Sequence, residues 1–307
     1  MFTIVEKRHW YFLLSALIII PGLVAMIYSI AMFGSPVRLG IDFTGGTLLE
    51  LRFDQPVQPA EVRGVFVDSG FPGTTVQTTS DEQTVLIRTK PMEPETRLDI
   101  LADLEAEFGP VEELRFESVG PAVGAEVTRA AAIAVGVAAV FILLFIIFAF
   151  RRVPNAFRYG VCAIAAMIHD ILVTVGLFSL AGLFLGWEAD ALFLTALLTV
   201  IGFSVQDTIV VFDRIRENIS RRRNEPFEMI ANRSLLETLH RSLATQLNAI
   251  FVLIALLLFG GATMKQFVAI LLVGLLSGTY SSIFNAVPLL VAWQTNKLIG
   301  RPSKATA

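Results

Sequence analysis

The sequence holds 307 residues, of which 54% are hydrophobic, and its mean hydropathy is +0.68. Too little polar surface is available to cover such a chain in water, so composition excludes a soluble globule and predicts a polytopic membrane protein. The formal net charge of −3 conceals an asymmetry, because residues 34–127 alone carry 17 Asp and Glu against 7 Lys and Arg.

Lys7, Arg8 and His9 precede an apolar run from Trp10 to about Phe33, interrupted by Pro21 and Gly22. The run exceeds the ~7–15-residue core of a secretory signal and no small-x-small cleavage site follows it, which predicts a retained helix, TM1. Residues 34–127 are charged and punctuated by Pro and Gly. Their pattern predicts strand Thr47–Phe53, helix Ala60–Asp68, strands Thr74–Thr79 and Thr84–Lys90, helix Glu95–Phe108 and strand Glu112–Val119. Leu49, Leu51 and Phe53 alternate with Glu50, Arg52 and Asp54, while Leu98, Leu101, Leu104 and Phe108 recur at helical spacing. The order βαββαβ is the ferredoxin-like arrangement, which by itself assigns no function.

Five further apolar runs follow: TM2 at about Ala130–Phe150, TM3 at Phe157–Leu185, TM4 at Ala191–Phe212, TM5 at Leu243–Gly260 and TM6 at Phe267–Trp293. Each reaches or approaches the ~20 residues that cross ~30 Å of hydrocarbon. Arg151, Arg152 and Arg158 lie between TM2 and TM3, six arginines from Arg214 to Arg233 lie between TM4 and TM5, and Lys297, Arg301 and Lys304 follow TM6. By the positive-inside rule both termini are cytoplasmic and residues 34–127 lie outside. The expected organisation is a cytoplasmic N-terminus and TM1 over 1–33, the extracytoplasmic domain over 34–127, TM2–TM6 over 128–295 with a basic cytoplasmic loop at 213–241, and a cytoplasmic tail at 296–307.

Asp207 is the anomaly of the chain, since a carboxylate at membrane depth is costly and marks a functional site whose partner must be sought. It lies about 24 Å along TM4 from Ala191 at ~1.5 Å per residue. Arg241, where TM5 enters the membrane, is its expected partner, and Gln206, Thr245, Gln246 and Asn248 add a polar seam. The pair reads either as a proton switch or as a static ion pair. His169 and Asp170 in TM3 point about 100° apart, so they are not expected to share one partner. His169 is read as a structural polar contact and Asp170 as a secondary site. Gly274, Ser277, Gly278, Ser281 and Asn285 form one stripe on TM6, read as a helix-packing surface because small residues let helices approach closely. Cys162 is the only cysteine, so no intramolecular disulfide forms. The sequence has no phosphate-binding loop, no His-Glu-x-x-His, no Cys/His metal spacing and no nucleophile elbow. Neither ATP nor peptide hydrolysis is expected, and no metal or cofactor.

At Val200-Ile-Gly-Phe-Ser-Val-Gln-Asp-Thr-Ile-Val-Val-Phe-Asp-Arg-Ile-Arg-Glu-Asn218 the sequence resembles the SecF members of the SecD/SecF family, translocase subunits within the resistance–nodulation–division superfamily. Gly40-Ile-Asp-Phe-Thr-Gly-Gly-Thr47, Ile168-His-Asp170, Thr238-Leu-His-Arg241, Leu258-Phe-Gly-Gly261 and Gly278-Thr-Tyr-Ser-Ser-Ile-Phe284 extend the resemblance over about 40–290. Gln206 and Phe203 depart from the Asn and Tyr common in the family. The resemblance implies six helices that form half of a twelve-helix pump, with SecD as the other half. It also implies proton-driven movement through Asp207 and Arg241, with H⁺ as coupling ion and Na⁺ as the alternative. Further implied partners are a SecYEG-type channel with its SecA ATPase, a translocating unfolded polypeptide and membrane lipid, with no nucleic acid. The expected setting is the bacterial cytoplasmic (inner) membrane, and the expected role is promotion of late translocation by the proton motive force. A non-conducting scaffold subunit and a half-transporter for small amphiphiles are the competing readings.

Overall fold

The computed structural model describes residues 4–78, 83–151, 155–222 and 224–296. Thr79, Arg152, Arg223, Lys297, Arg301 and Lys304, to which the sequence assigned a strand end or an orienting charge, lie outside the described residues. The chain divides into two compact units, residues 39–133 and residues 1–38 with 134–307.

Residues 39–133 hold helix α2 (Ile41–Thr44), strand β1 (Gly46–Phe53), helix α3 (Pro59–Asp68), strands β2 (Thr75–Thr78) and β3 (Thr84–Thr89), helix α4 (Pro94–Phe108) and strand β4 (Val111–Val119). The sheet is antiparallel in the order β2-β3-β1-β4, with Leu49 opposite Ile87 on one side and Phe116 on the other. Two crossover helices and this strand order make the expected βαββαβ ferredoxin-like domain. Pro59 and Pro94 sit in the first turns of α3 and α4, where a missing N–H costs nothing. Leu49, Leu51 and Phe53 pack with Val62 and Phe66 of α3 and Ile100 and Leu104 of α4. Leu98 is exposed, contrary to the periodicity, because α4 turns Ile100 and Leu104 inward and leaves position 98 on the far face. The pair Gly45-Gly46, before β1, has φ of +73° and +132°, and a Cβ on Gly45 would lie 2.8 Å from Pro121 Cα. Only glycine meets both demands. The short helix α2 was not expected, since four residues carry no periodicity.

Among the described residues, six helices are long and apolar enough to cross a membrane. They comprise α1 (Arg8–Phe33), α5 (Pro121–Ala149), α6 (Ala156–Leu185), α7 (Ala191–Arg221), α8 (Phe227–Phe259) and the run of α9 (Ala262–Ser281), a π turn (Ser282–Ala286) and α10 (Val287–Thr295). Helix α1 continues through Pro21, as membrane helices can when neighbours re-satisfy the backbone. Helix α6 is central and packs on α1, α7 and α9. At one end of the bundle Phe150, Tyr159 and Phe212 form an aromatic core, with Ile201, Ile215, Leu235 and Leu290 in the same buried cluster. Three helices outrun the predicted spans: α5 starts at Pro121, α7 continues to Arg221 and α8 starts at Phe227. A hydropathy limit stops at the first charges, whereas the helical backbone bonds do not.

Candidate functional site

Helix α7 puts Asp207 against α8. The carboxylate is buried, and its Oδ2 accepts from the Gln246 side-chain amide at 2.6 Å. Among the described residues no Asp207–Arg241 ion pair forms, and Arg241 is exposed. The reason is helical phase. Positions 241 and 246 differ by about 7.5 Å along α8 and by roughly 140° around it, so both cannot face one point on α7. Gln206, Thr245 and Asn248 are likewise exposed, so the expected seam reduces to Gln246 alone. The Thr245 hydroxyl instead donates to the Arg241 carbonyl, its own preceding turn.

The second intramembrane acid is better held than the first. Asp170 has no exposed surface, and four donors from three helices converge on it. Its Oδ1 lies 2.6 Å from Ser277 Oγ and 3.0 Å from His169 Nδ1, while its Oδ2 accepts from Ser204 at 2.5 Å and Ser281 at 2.6 Å. A carboxylate offers about four lone-pair sites, and all are used. His169 Nε2 lies 3.1 Å from Ser15 Oγ on α1, and Ser15 meets Asn285 of the π turn. His169 and Asp170 therefore do join one network, by bonding each other rather than through one outside partner.

The TM6 stripe has two roles. Gly274 is packed so tightly that a Cβ there would lie 2.0 Å from Val200 Cγ2, and a Cβ on Gly278 would lie 3.3 Å from Ser204 Cα. Those approaches bring α9 onto α7 close enough for Ser277 and Ser281 to reach Asp170. Ser281, read from sequence as packing, is also a hydrogen-bond donor. Ser15 and Ser204 went unnoticed in sequence. Their signal was available, as lone hydroxyls inside apolar runs, but nothing local identified their acceptors.

Beyond the apolar part of the bundle, α7 and α8 are joined by polar contacts. Arg214 bridges Glu217 and Glu237 at 2.5 and 2.6 Å, and Asn218 donates to Ser234 and Glu237. Asp213 pairs with Arg216 on the surface, where such pairs contribute little. Among the described residues no group of three or more His, Cys, Asp or Glu side chains could hold a metal ion. What the bundle offers is two buried carboxylates, one served by a neutral amide and one by hydroxyls and an imidazole.

Residues 100–296 match the family model described as "Protein export membrane protein SecD/SecF, C-terminal", and residues 30–57, containing the Gly45-Gly46 turn, match the "SecD/SecF GG Motif". The chain is 49% identical to a protein translocase subunit SecF of Anaerolinea thermophila, covering 97% of this chain and 96% of that one. It is 48% identical to a SecF of Thermobaculum terrenum, again over 97% and 96%. Its fold superposes on the crystal structure of SecDF from Thermus thermophilus, described as a translocon-associated membrane protein, with a TM-score of 0.80 and 33% identity. That match covers 96% of this chain but spans only 39% of the longer one. With its helices, its Gly-Gly turn and nearly its whole length accounted for, the chain belongs to the SecD/SecF family of protein-export membrane proteins.

Proposed function

We propose that this chain is an accessory subunit of the Sec protein-export machinery. It works with a SecD-type partner in the bacterial cytoplasmic membrane and uses the proton motive force to promote late translocation of preproteins. The observation that carries the reading is Asp207, a buried acid in a membrane helix whose hydrogen-bond partner is the neutral Gln246 amide. The distribution of arginines supports cytoplasmic termini and an outer position for residues 34–127. A gradient, rather than nucleotide hydrolysis, supplies the energy, so the chain acts as a coupled subunit and not as an enzyme.

A SecD-type half is supported by what the single chain leaves open. Arg241, Gln206, Thr245 and Asn248 are exposed within apolar helices, and such groups in a membrane face a protein interior or a water-filled cavity. The same face of α8 carries exposed Val252, Leu256 and Phe259. The Sec channel, its ATPase and the translocating chain complete the assembly.

Asp207 works as a two-state element. Protonated, it needs no cation, and the Gln246 bond suffices. Ionised, it draws Arg241, which requires α8 to turn or slide against α7. A potential of 100 mV contributes about 2.3 kcal/mol per charge, a bias of about 50-fold between the two states. The test is preprotein export into vesicles containing this chain, its SecD-type partner and the Sec channel, with and without an imposed proton gradient. Asp207→Asn should assemble and export at the basal rate but lose the gradient-stimulated part. An unchanged gradient response would instead make the chain a scaffold.

A further inference from the structure

We propose that His169 is a second proton-carrying residue of this chain, with Asp170 as its fixed counter-charge and the Ser15–Asn285 pair as a reversible hydrogen-bond partner. The inference deepens the proton-coupled reading above and rests on it.

The geometry divides the labour between the two residues. Asp170 takes donors from Ser204, Ser277, Ser281 and His169, which fills its acceptor sites as an anion. A proton on that carboxyl would have to turn one of those four partners from donor to acceptor or displace it. Because a carboxylate can only accept, His169 Nδ1 carries a hydrogen toward Asp170 Oδ1. The remaining nitrogen, Nε2, is where a proton can come and go.

Around Nε2 both states are satisfied. With His169 neutral, Ser15 donates to Nε2, 3.1 Å away, and accepts from Asn285 Nδ2 at 2.9 Å. With His169 protonated, Nε2–H donates to Ser15 Oγ, and Ser15 donates instead to Asn285 Oδ1, at 3.1 Å. Uptake of one proton on Nε2 reverses one hydroxyl and keeps Nε2 hydrogen-bonded in both states, while Asn285 Oδ1 receives the Ser15 hydrogen only in the protonated one. The Tyr280 ring lies stacked 6.0 Å from the imidazole, anchored by its hydroxyl to the Tyr11 carbonyl, and a cation gains from an aromatic face at such a distance.

Helix α1 presents Ser15 and Tyr11; α7 presents Ser204 and, three residues on, Asp207; α9 and the π turn present Ser277, Tyr280, Ser281 and Asn285. Among the described residues no lysine or arginine forms an ion pair with Asp170. An ionised carboxylate buried in a membrane bundle is favoured by hydrogen-bond donors and by a partner of opposite charge. Histidine is the side chain suited to supply that charge reversibly near neutral pH. The π turn, a backbone form that recurs at functional sites, is what carries Asn285 to Ser15. Since Ser204 lies one turn from Asp207 on α7, both sites act on the same helix.

The chain has three histidines, and His9 and His240 are exposed, so His9→Gln/His240→Gln leaves a single imidazole signal without touching the bundle. The imidazole ¹⁵N shifts of that variant in lipid nanodiscs, followed from about pH 5 to 9, should pass from the neutral to the imidazolium pattern. An added Ser15→Ala should remove the transition. A histidine that stays in one protonation state throughout, or a transition indifferent to Ser15→Ala, overturns the proposal. In export vesicles His169→Gln should lose the gradient-stimulated component. Asp207→Asn run in parallel separates the two failures. If Asp207→Asn loses the gradient response and His169→Gln retains it, the second site is refuted and the export reading stands. If neither loses it, the export reading itself fails.

Discussion

Gly22 in α1 and Gly176 in α6 meet backbone to backbone. A Cβ on Gly176 would lie 2.8 Å from Gly22 Cα and 3.3 Å from its carbonyl carbon, and a Cβ on Gly22 would lie 2.8 Å from Gly176 Cα. Carbon atoms rest about 3.5–4.0 Å apart, so Gly176→Ala must part the two helices by close to 1 Å. No flexible side chain can move aside, because both obstacles are main chain. The expected loss is about 1–3 kcal/mol, the range for overpacking a close contact. Equilibrium unfolding of the purified chain in micelles measures it, with Gly136→Ala as control, since a Cβ at that α5 position meets nothing within 4 Å. Gly22→Ala should cost a similar amount. The double variant should cost less than the sum by about 0.5 kcal/mol or more, because the first methyl has already opened the gap the second needs. Equal stability of Gly176→Ala and Gly136→Ala, or strict additivity in the double variant, would refute this account of the α1–α6 crossing.

Two other expectations concern named groups. Asp170→Ala removes the acceptor of four buried donors and should destabilise the bundle by more than about 3 kcal/mol, while Asp170→Asn, which keeps one oxygen in place, should cost about 1–2 kcal/mol. The same micellar unfolding assay compares them, and equal losses would mean that shape rather than hydrogen bonding holds the site. In residues 39–133, Phe66→Ala empties a fully buried position beneath the sheet and should cost about 3–5 kcal/mol, read in the full chain as faster amide exchange in β1 and β3. Unchanged exchange there would place Phe66 outside the domain's cooperative core.

Sequence and structure agree where the deciding force is local. Alternation of Leu49, Leu51 and Phe53 with charged residues made β1 legible, because a sheet with one covered face imposes a period of two. Leu98 misled because one extra apolar residue on α4 matched a helical spacing without lying on the buried stripe. The ends of α7 and α8 were missed for another reason. Ile215, Asn218, Ile230 and Leu235 are buried between these helices outside the apolar spans, a packing that hydropathy windows do not detect.

The sequence by itself determined that the chain needs a membrane, how many times it can cross one, where a βαββαβ domain interrupts the spans, and that Asp207 stands out. Those properties follow from apolar length, strand alternation and the cost of one buried charge, all readable along the chain. Only the tertiary structure decided which groups meet. Helical phase turned Gln246 rather than Arg241 toward Asp207. Close glycine contacts brought Ser277 and Ser281 to Asp170, and a π turn carried Asn285 to Ser15. Residues up to 270 positions apart in the chain are joined in this network, and their spacing along the sequence carries no trace of a contact that depends on how whole helices cross.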